Sequence, residues 1–335
     1  MEIGKVPENV LKRAVFKQIR HRRDEVLLHP GVGEDCSAVA VEPDEALVFS
    51  TDPITGADKG MGTLAVHITA NDLASAGAEP VGILTSIILP PRTREIKLRR
   101  LMEEIEIACK SLSIEVMGGH TEVSDVVNRP VITVTGVGKV KRDKIVSTGG
   151  LQPGDDIVMT KWAGLEGTSI IASEQEEKLK ETLPQELVEK AAGFIKYISV
   201  VPEAKIASEM GVSAMHDITE GGVFGALWEM GAASDVGITA DLMKIPIKQE
   251  TIEVCEVFDI NPYTLISSGS MLIGTPHGNI LVDELEANGI HAVVIGRATE
   301  GNDRIVINGD EKRFLEPAGA DELYKIKKEK DTDGR

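Results

Sequence analysis

Aromatic side chains are scarce: two Trp, three Tyr and six Phe serve a chain of 335 residues. A surface that stacks unpaired bases needs several such rings, so single-stranded nucleic acid is an unsuitable partner. Positive charge is also short, with 36 Lys and Arg against 54 Asp and Glu and a net charge of −18. Affinity for a polyanion rests on neutralising phosphates, so no nucleic acid and no anionic membrane is expected to bind. Cysteine is limited to Cys36, Cys109 and Cys255, an odd number without a C-x-x-C pair. Neither a disulfide framework nor a structural zinc site follows from that spacing, and a reducing, cytoplasmic setting is expected. No run reaches the roughly 20 apolar residues that span a bilayer, and the N-terminal stretch lacks an apolar signal core. Phosphate loops of the G-x-x-x-x-G-K-[ST] type and G-x-S-x-G nucleophile elbows are missing as well.

What is present is a 42% hydrophobic complement dominated by Ile, Val, Leu, Ala and Met, the core of an α/β protein. The length suits two domains. Val10, Leu11, Ala14, Val15 and Ile19 recur at helical spacing and predict an amphipathic opening helix. Strands are predicted at 45–50, 81–89, 114–117 and 131–140, with helices at 63–76 and 93–113. TGGLQPGDD at 148–156 interrupts regular structure, which places an N-terminal domain at 1–149 and a C-terminal domain at 150–318. Beyond the break, strands are predicted at 156–161, 212–215, 237–241, 270–274 and 292–296, and helices at 185–197, 202–209, 221–233 and 279–288. The segment 319–335, rich in charge, is expected to fray.

Four acidic residues stand beside small or Gly-rich turns: Asp35 in GVGEDCSAV, Asp52 in STD, Asp72 in TANDLASAGA and Glu122 in GGHTEV. Each is read at a strand end, a loop or a helix turn. Hard oxygen ligands so placed suit Mg²⁺ bridging the phosphates of a nucleotide, and phosphoryl transfer is the leading expectation. Singly, each motif reads at least as well as an ordinary acidic turn or, for Asp72, a solvated helix face. His120 has no H-x-x-x-H or H-E-x-x-H partner for zinc. In MHDITEGGV, Asp217 ends a predicted strand and Gly221-Gly222 opens a helix whose N–H groups suit a phosphate, although capping explains Asp217 and Thr219 too.

Taken in order, GVGEDCSAV, STD, ANDLASAGAEP, GGHTEV, TGVG and MHDITEGGV resemble the superfamily of aminoimidazole ribonucleotide (AIR) synthetase, thiamine-monophosphate kinase, selenophosphate synthetase and HypE. The resemblance runs through nearly the whole chain. It implies a two-domain α/β architecture in which the N-terminal sheet pairs with that of a second copy to form a barrel across a homodimer. It also implies ATP and Mg²⁺, with Asp35, Asp52, Asp72 and Glu122 as metal ligands. Asp72 and Asp217 would take the catalytic roles. Thr51, Asn71, Gly118, Gly119, His120 and Thr121 would contact the nucleotide. STDPITGAD, ANDLASAGAEP and GGHTEV are most similar to the HypE-like branch. Two departures stand out: the sequence ends DTDGR where that branch carries a reactive cysteine, and Glu220 replaces the Arg of its DPTRGG segment. The implied function is Mg²⁺- and ATP-dependent phosphoryl transfer to an oxygen of a small-molecule or carbamoyl-type substrate, with a maturation protein as a further partner. A thiamine-monophosphate-kinase-like enzyme and a non-catalytic nucleotide-binding scaffold are the alternatives.

Overall fold

Apolar residues at every second position fix which side of each N-terminal strand is covered. The computed structural model describes residues 4–30, 37–54 and 60–326, and the chain divides into two units, 1–145 and 146–335. The first holds β1 (Gly4–Lys5), a single turn α1 (Glu8–Leu11), β2 (Val26–Leu28), β3 (Ala38–Val39), β4 (Glu45–Ile54), α2 (Met61–Ser75), β5 (Glu79–Leu89), α3 (Glu95–Ser111), β6 (Glu115–Val123) and β7 (Val131–Lys141). Its main sheet has the order β1-β6-β5-β7-β4, and β2 pairs with β3 separately. β5 and β6 run parallel through the crossover helix α3, whereas β7 lies antiparallel to both β5 and β4.

Val81, Ile83, Ile87 and Leu89 of β5 and Ile132 and Val134 of β7 are buried, as are Leu64, Ala65, Val66 and Leu73 of α2. α2 packs on β7 and β4, so one face of the sheet is the helix-covered face. The opposite face is more open: Phe49 is 62% exposed and Leu47 36%. Under the sheet's β6 end, the fully buried Glu115 accepts from Arg22 Nη1 at 2.7 Å, from the Arg23 N–H at 2.7 Å and pairs with His29 Nδ1 at 2.6 Å. That network ties the segments on both sides of β2 to the sheet.

The second unit holds β8 (Asp156–Thr160), α4 (Leu165–Glu174), α5 (Glu176–Lys180), α6 (Gln185–Ala192), α7 (Val201–Met210), β9 (Ala214–Asp217), α8 (Gly222–Ala233), β10 (Gly237–Asp241), α9 (Gln249–Val257), β11 (Met271–Thr275), α10 (Gly278–Ala287), β12 (Ala292–Thr299), β13 (Arg304–Asn308) and β14 (Glu311–Phe314). One sheet runs β14-β13-β10-β12-β8-β11-β9. Ile157, Met159, Ile238, Leu272 and Ile295 of its strands share a core with Val223, Leu227 and Met230 of α8.

Several sequence expectations change. The opening helix is α1 followed by a π-helical segment, Lys12–Phe16, held where Arg13 forks onto Glu95 at 2.8 and 3.0 Å. Asp52 lies inside β4, opposite Val134, not at a strand end. Gly118–Glu122 is a stretch of β6 and not a loop, because each residue pairs with β5. α4, α9, β13 and β14 had no counterpart in the sequence reading. The segment from residue 319 does not fray through residue 326: residues 323–326 form a helical turn, and Asp321, Leu323 and Ile326 are buried. A buried apolar pair and a satisfied carboxylate outweigh the charge density that suggested disorder.

Candidate functional site

Register decides which candidate side chains share a face, since neighbours directly across a sheet project together and residues one apart along a strand project oppositely. Asp52 sits opposite Val134, Val134 opposite Thr85 and Thr85 opposite Gly119. Val134 and Thr85 are buried, so Asp52 belongs to the helix-covered face. Ser50, two residues earlier, shares it. There the Ser50 hydroxyl donates to Asp72 Oδ2 of α2 at 2.5 Å and lies 3.3 Å from Asp52 Oδ2. Two carboxylates thus meet at one hydroxyl whose single proton serves the shorter contact.

Asn71, the neighbour of Asp72, is fully buried, and its carbonyl accepts from Ser75 Oγ at 2.9 Å. Thr121 falls opposite Ile87 on the helix-covered face. Thr51, His120 and Glu122 fall on the other side of the sheet. Thr51 Oγ1 lies 2.9 Å from Thr135 Oγ1, and His120 Nε2 lies 3.4 Å from Glu122 Oε2. Within one chain the structure therefore brings Asp52 and Asp72 together and sets Glu122 on the opposite face. Asp35 lies outside the described residues. Among the described residues no group of three or more His, Cys, Asp or Glu side chains is arranged to hold a metal.

Gly119 has φ +144°, and a Cβ there would lie 2.0 Å from the Thr85 carbonyl oxygen. The space that its missing side chain leaves is filled by β5. At Gly118 a Cβ would come within 3.1 Å of Ser37 Oγ, a hydroxyl that donates to the Met117 carbonyl at 2.6 Å.

A second constellation lies in the C-terminal unit. β9 ends on the buried Asp217, and the chain then turns through Gly221 and Gly222, at φ +84° and +61°, into α8. A side chain is barred at Gly222, where a Cβ would meet the Tyr263 and Leu265 carbonyl oxygens at 2.6 and 2.8 Å. The 265–270 segment lines this turn: Ile218 N–H donates to Ser270 O at 2.9 Å, and Ser267 Oγ accepts from Gly164 N–H at 2.8 Å. Glu166, in the first turn of α4, is fully enclosed, and burial pushes its carboxyl up to about 7. Ser268 beside it draws the value down, and the nearby Asp321 and Glu220 push it up. Glu220 accepts from the Tyr324 hydroxyl at 2.6 Å, which together with burial raises the phenol to about 12.

The sequence reading missed Glu166 and Asp321. Glu166 is a lone carboxylate in the small, apolar run WAGLEGTSIIA, a signal of the kind that singled out Asp72. Asp321 was hidden inside a charged segment. Among the described residues no helix is long and apolar enough to cross a membrane.

Two α/β units, with a carboxylate pair on the first sheet's covered face and a Gly-rich turn opening α8 in the second, define the class. The chain belongs to the AIR synthase related family: residues 33–140 match its N-terminal domain and residues 152–308 its C-terminal domain. It is 29% identical over 316 residues to a Methanocaldococcus jannaschii protein provisionally named for hydrogenase expression/formation, covering 91% of each chain. It is 25% identical over 272 residues to the carbamoyl dehydratase HypE of Rhodobacter capsulatus, covering 78% of each. The fold superposes on crystal structures of HypE in complex with ATP (TM-score 0.77, 19% identity, 96% of this chain and 97% of that one) and of a HypE–HypF complex (0.71, 20%, 81% and 90%). It also matches thiamine-monophosphate kinase from Stenotrophomonas maltophilia (0.73, 18%, 92% and 98%).

Proposed function

We propose that the chain is an ATP-dependent enzyme of the HypE-like branch, using Mg²⁺ and transferring a phosphoryl group to an oxygen of a small-molecule or carbamoyl-type substrate. The observation that carries this reading is the meeting of Asp52 and Asp72 at Ser50. Mg²⁺ is commonly held by one or two carboxylates together with substrate phosphates and water, and two aspartates that share one hydroxyl fit that donor set. Asp52 and Asp72 would hold the ion, which when bound neutralises charge developing on the transferred group.

Ser50 holds Asp72 with its one proton, and the mutual repulsion of the two carboxylates is what a bound cation would relieve. Thr51, Asn71, Gly118, Gly119, His120 and Thr121 remain assigned to the nucleotide, and Asp35 and Glu122 to a metal, Glu122 from the face of the sheet opposite to the Asp52–Asp72 pair. The open face, on which Thr51, His120 and Glu122 fall together with the exposed Phe49, suits burial against a second copy's sheet, which supports a homodimer. Asp217 is assigned to the reaction from the second domain, the domains being 1–149 and 150–318. Cys109 and Cys255 are buried, and burial raises both thiols, Cys255 to about 12, so neither serves as a thiolate acceptor. A hydrogenase-maturation protein is the partner that the HypE–HypF complex suggests.

The test is calorimetric titration with ATP in millimolar Mg²⁺ and again in EDTA. Mg²⁺-dependent binding is expected, and no heat at millimolar Mg-ATP would remove the proposal. Incubation with thiamine monophosphate is expected to yield no thiamine diphosphate.

A further inference from the structure

Glu103, Glu106, Ile107 and Lys110 recur at i, i+3, i+4 and i+7 along α3 and so share one side of that helix. The chain leaving the π-helical segment crosses this side, where Glu106 Oε1 accepts the Arg20 N–H at 2.9 Å and the His21 N–H at 2.7 Å. Between the two elements lies a cleft of about 510 Å³, lined by these four residues and by Gln18, Arg20 and His21. Small-molecule sites span about 300–1,000 Å³, so the cleft is large enough for one.

Two atoms of its lining are unsatisfied. Glu106 is only 9% exposed, yet among the described residues nothing donates to its Oε2, and His21 Nε2 has no partner either. Both atoms are shut off from solvent. Gln18, in the same lining, spends its amide on the Arg13 carbonyl at 3.0 Å. A buried carboxylate oxygen without a donor is costly enough that nearly all such atoms in proteins find a partner. The charges of the lining also balance: Arg20 and Lys110 are cations, and Glu103 and Glu106 are carboxylates. A ligand of one sign gains little from such a set, whereas a zwitterion is matched by it. Arg20, Glu103 and Lys110 are exposed and form the mouth, with Glu106 and His21 deeper. Ile107, 70% exposed, adds an apolar wall. One imidazole beside one buried carboxylate falls short of a metal site, and among the described residues no trio of such ligands is arranged to hold an ion.

We infer that this cleft binds a small zwitterion with an aliphatic body, either an α-amino acid of the leucine type or a short peptide carrying the same groups. The ammonium group donates to Glu106 Oε2 and to His21 Nε2, the carboxylate meets the cations at the mouth, and the aliphatic part lies on Ile107. Because the two deep atoms are closed to solvent, the ligand reaches them once an exposed side chain swings aside. Arg20, anchored by one contact of 3.4 Å from Nε to the Lys17 carbonyl, is the side chain we assign to that movement. Neither Asp52, Asp72 nor a nucleotide takes part.

The test uses the full chain with its isoleucine methyl groups labelled, so that Ile107 reports binding by NMR. Leucine is the probe. N-acetylleucine lacks the ammonium group, leucinamide lacks the carboxylate, glycine lacks the aliphatic body, and dileucine stands for a peptide. Leucine is expected to shift the Ile107 signal saturably, with N-acetylleucine and leucinamide at least roughly tenfold weaker, about the worth of one hydrogen bond to a charged group. Glycine should bind more weakly than leucine, and dileucine binding more tightly than leucine would support the site and assign it to a peptide. Glu106→Gln keeps the shape and one acceptor for the backbone N–H groups, and should weaken leucine roughly tenfold. Lys110→Glu, at an exposed position, should weaken leucine and strengthen leucinamide, which keeps the inference open to refutation if the glutamine variant fails to fold. No change at Ile107 with roughly 10 mM leucine, enough to fill most of a site of millimolar affinity, would overturn the inference. So would N-acetylleucine binding as tightly as leucine, or a leucine-to-leucinamide preference that Lys110→Glu leaves unaltered.

Discussion

Replacing Glu166 with Gln removes a titratable group from a closed site while keeping its shape. Burial raises this carboxyl from 4.5 to about 7. A raised folded-state value means that the folded unit keeps the proton longer than the unfolded chain does. The stabilising contribution is therefore complete below about pH 4.5 and is lost as pH rises through about 7. At 1.36 kcal/mol per unit the loss is roughly 3 kcal/mol. Glutamine has no such loss, so the variant should gain on the wild type by that amount between pH 5 and pH 8. In a domain of this size that is a relative rise of roughly 6–12 °C in the melting temperature of the C-terminal unit. The Asp321 carboxyl, which burial also raises, is common to both proteins and largely drops out of the difference. Thermal unfolding of both proteins, followed by circular dichroism from pH 4.5 to 8.5, reads the effect directly. A stability difference that does not vary with pH, or one that favours the variant only in acid, would refute the reasoning.

Gly119→Ala should cost about 3 kcal/mol or more, because a Cβ would lie 2.0 Å from the Thr85 carbonyl at a φ of +144°; a loss below about 1 kcal/mol in urea melts would mean that the strand relaxes freely. Glu115→Ala strands Arg22, Arg23 and His29 around a vacated buried site and should destabilise the N-terminal unit by about 3–5 kcal/mol. Denaturant titration checks this, and a change under 1 kcal/mol would contradict it. Cys109 and Cys255 should resist a thiol reagent at pH 8 in the native protein and react promptly in denaturant. Rapid native modification mapped to either residue would show that its site opens.

Long periodic elements declared themselves in the sequence: α2, α3, β5, β7 and α8 lie within a few residues of where apolar spacing put them. Elements whose apolar residues pack among small or polar neighbours did not, such as α4 with its GLEGTS start, and the charged hairpin β13–β14. The AIR synthase related family followed from six weak motifs in a fixed order, since order and spacing constrain more than any one turn does. The arrangement of the site was harder to foresee. Nothing in the strings STD or GGHTEV tells that Asp52 and Glu122 fall on opposite faces of one sheet, because that depends on strand register. Asp321 was equally opaque: it is held by the Gly221 and Ile266 N–H groups, at least 55 residues away in sequence by their numbering.

The most direct measurement is the Mg-ATP affinity of the wild type beside Asp72→Asn, each with and without Mg²⁺, with circular dichroism confirming an intact fold. The account predicts that the wild type binds only with Mg²⁺ and that the variant loses at least about tenfold of that Mg²⁺-dependent affinity, or roughly 1.4 kcal/mol. Equal affinity in the two proteins would contradict the assignment of the carboxylate pair at Ser50 to metal binding.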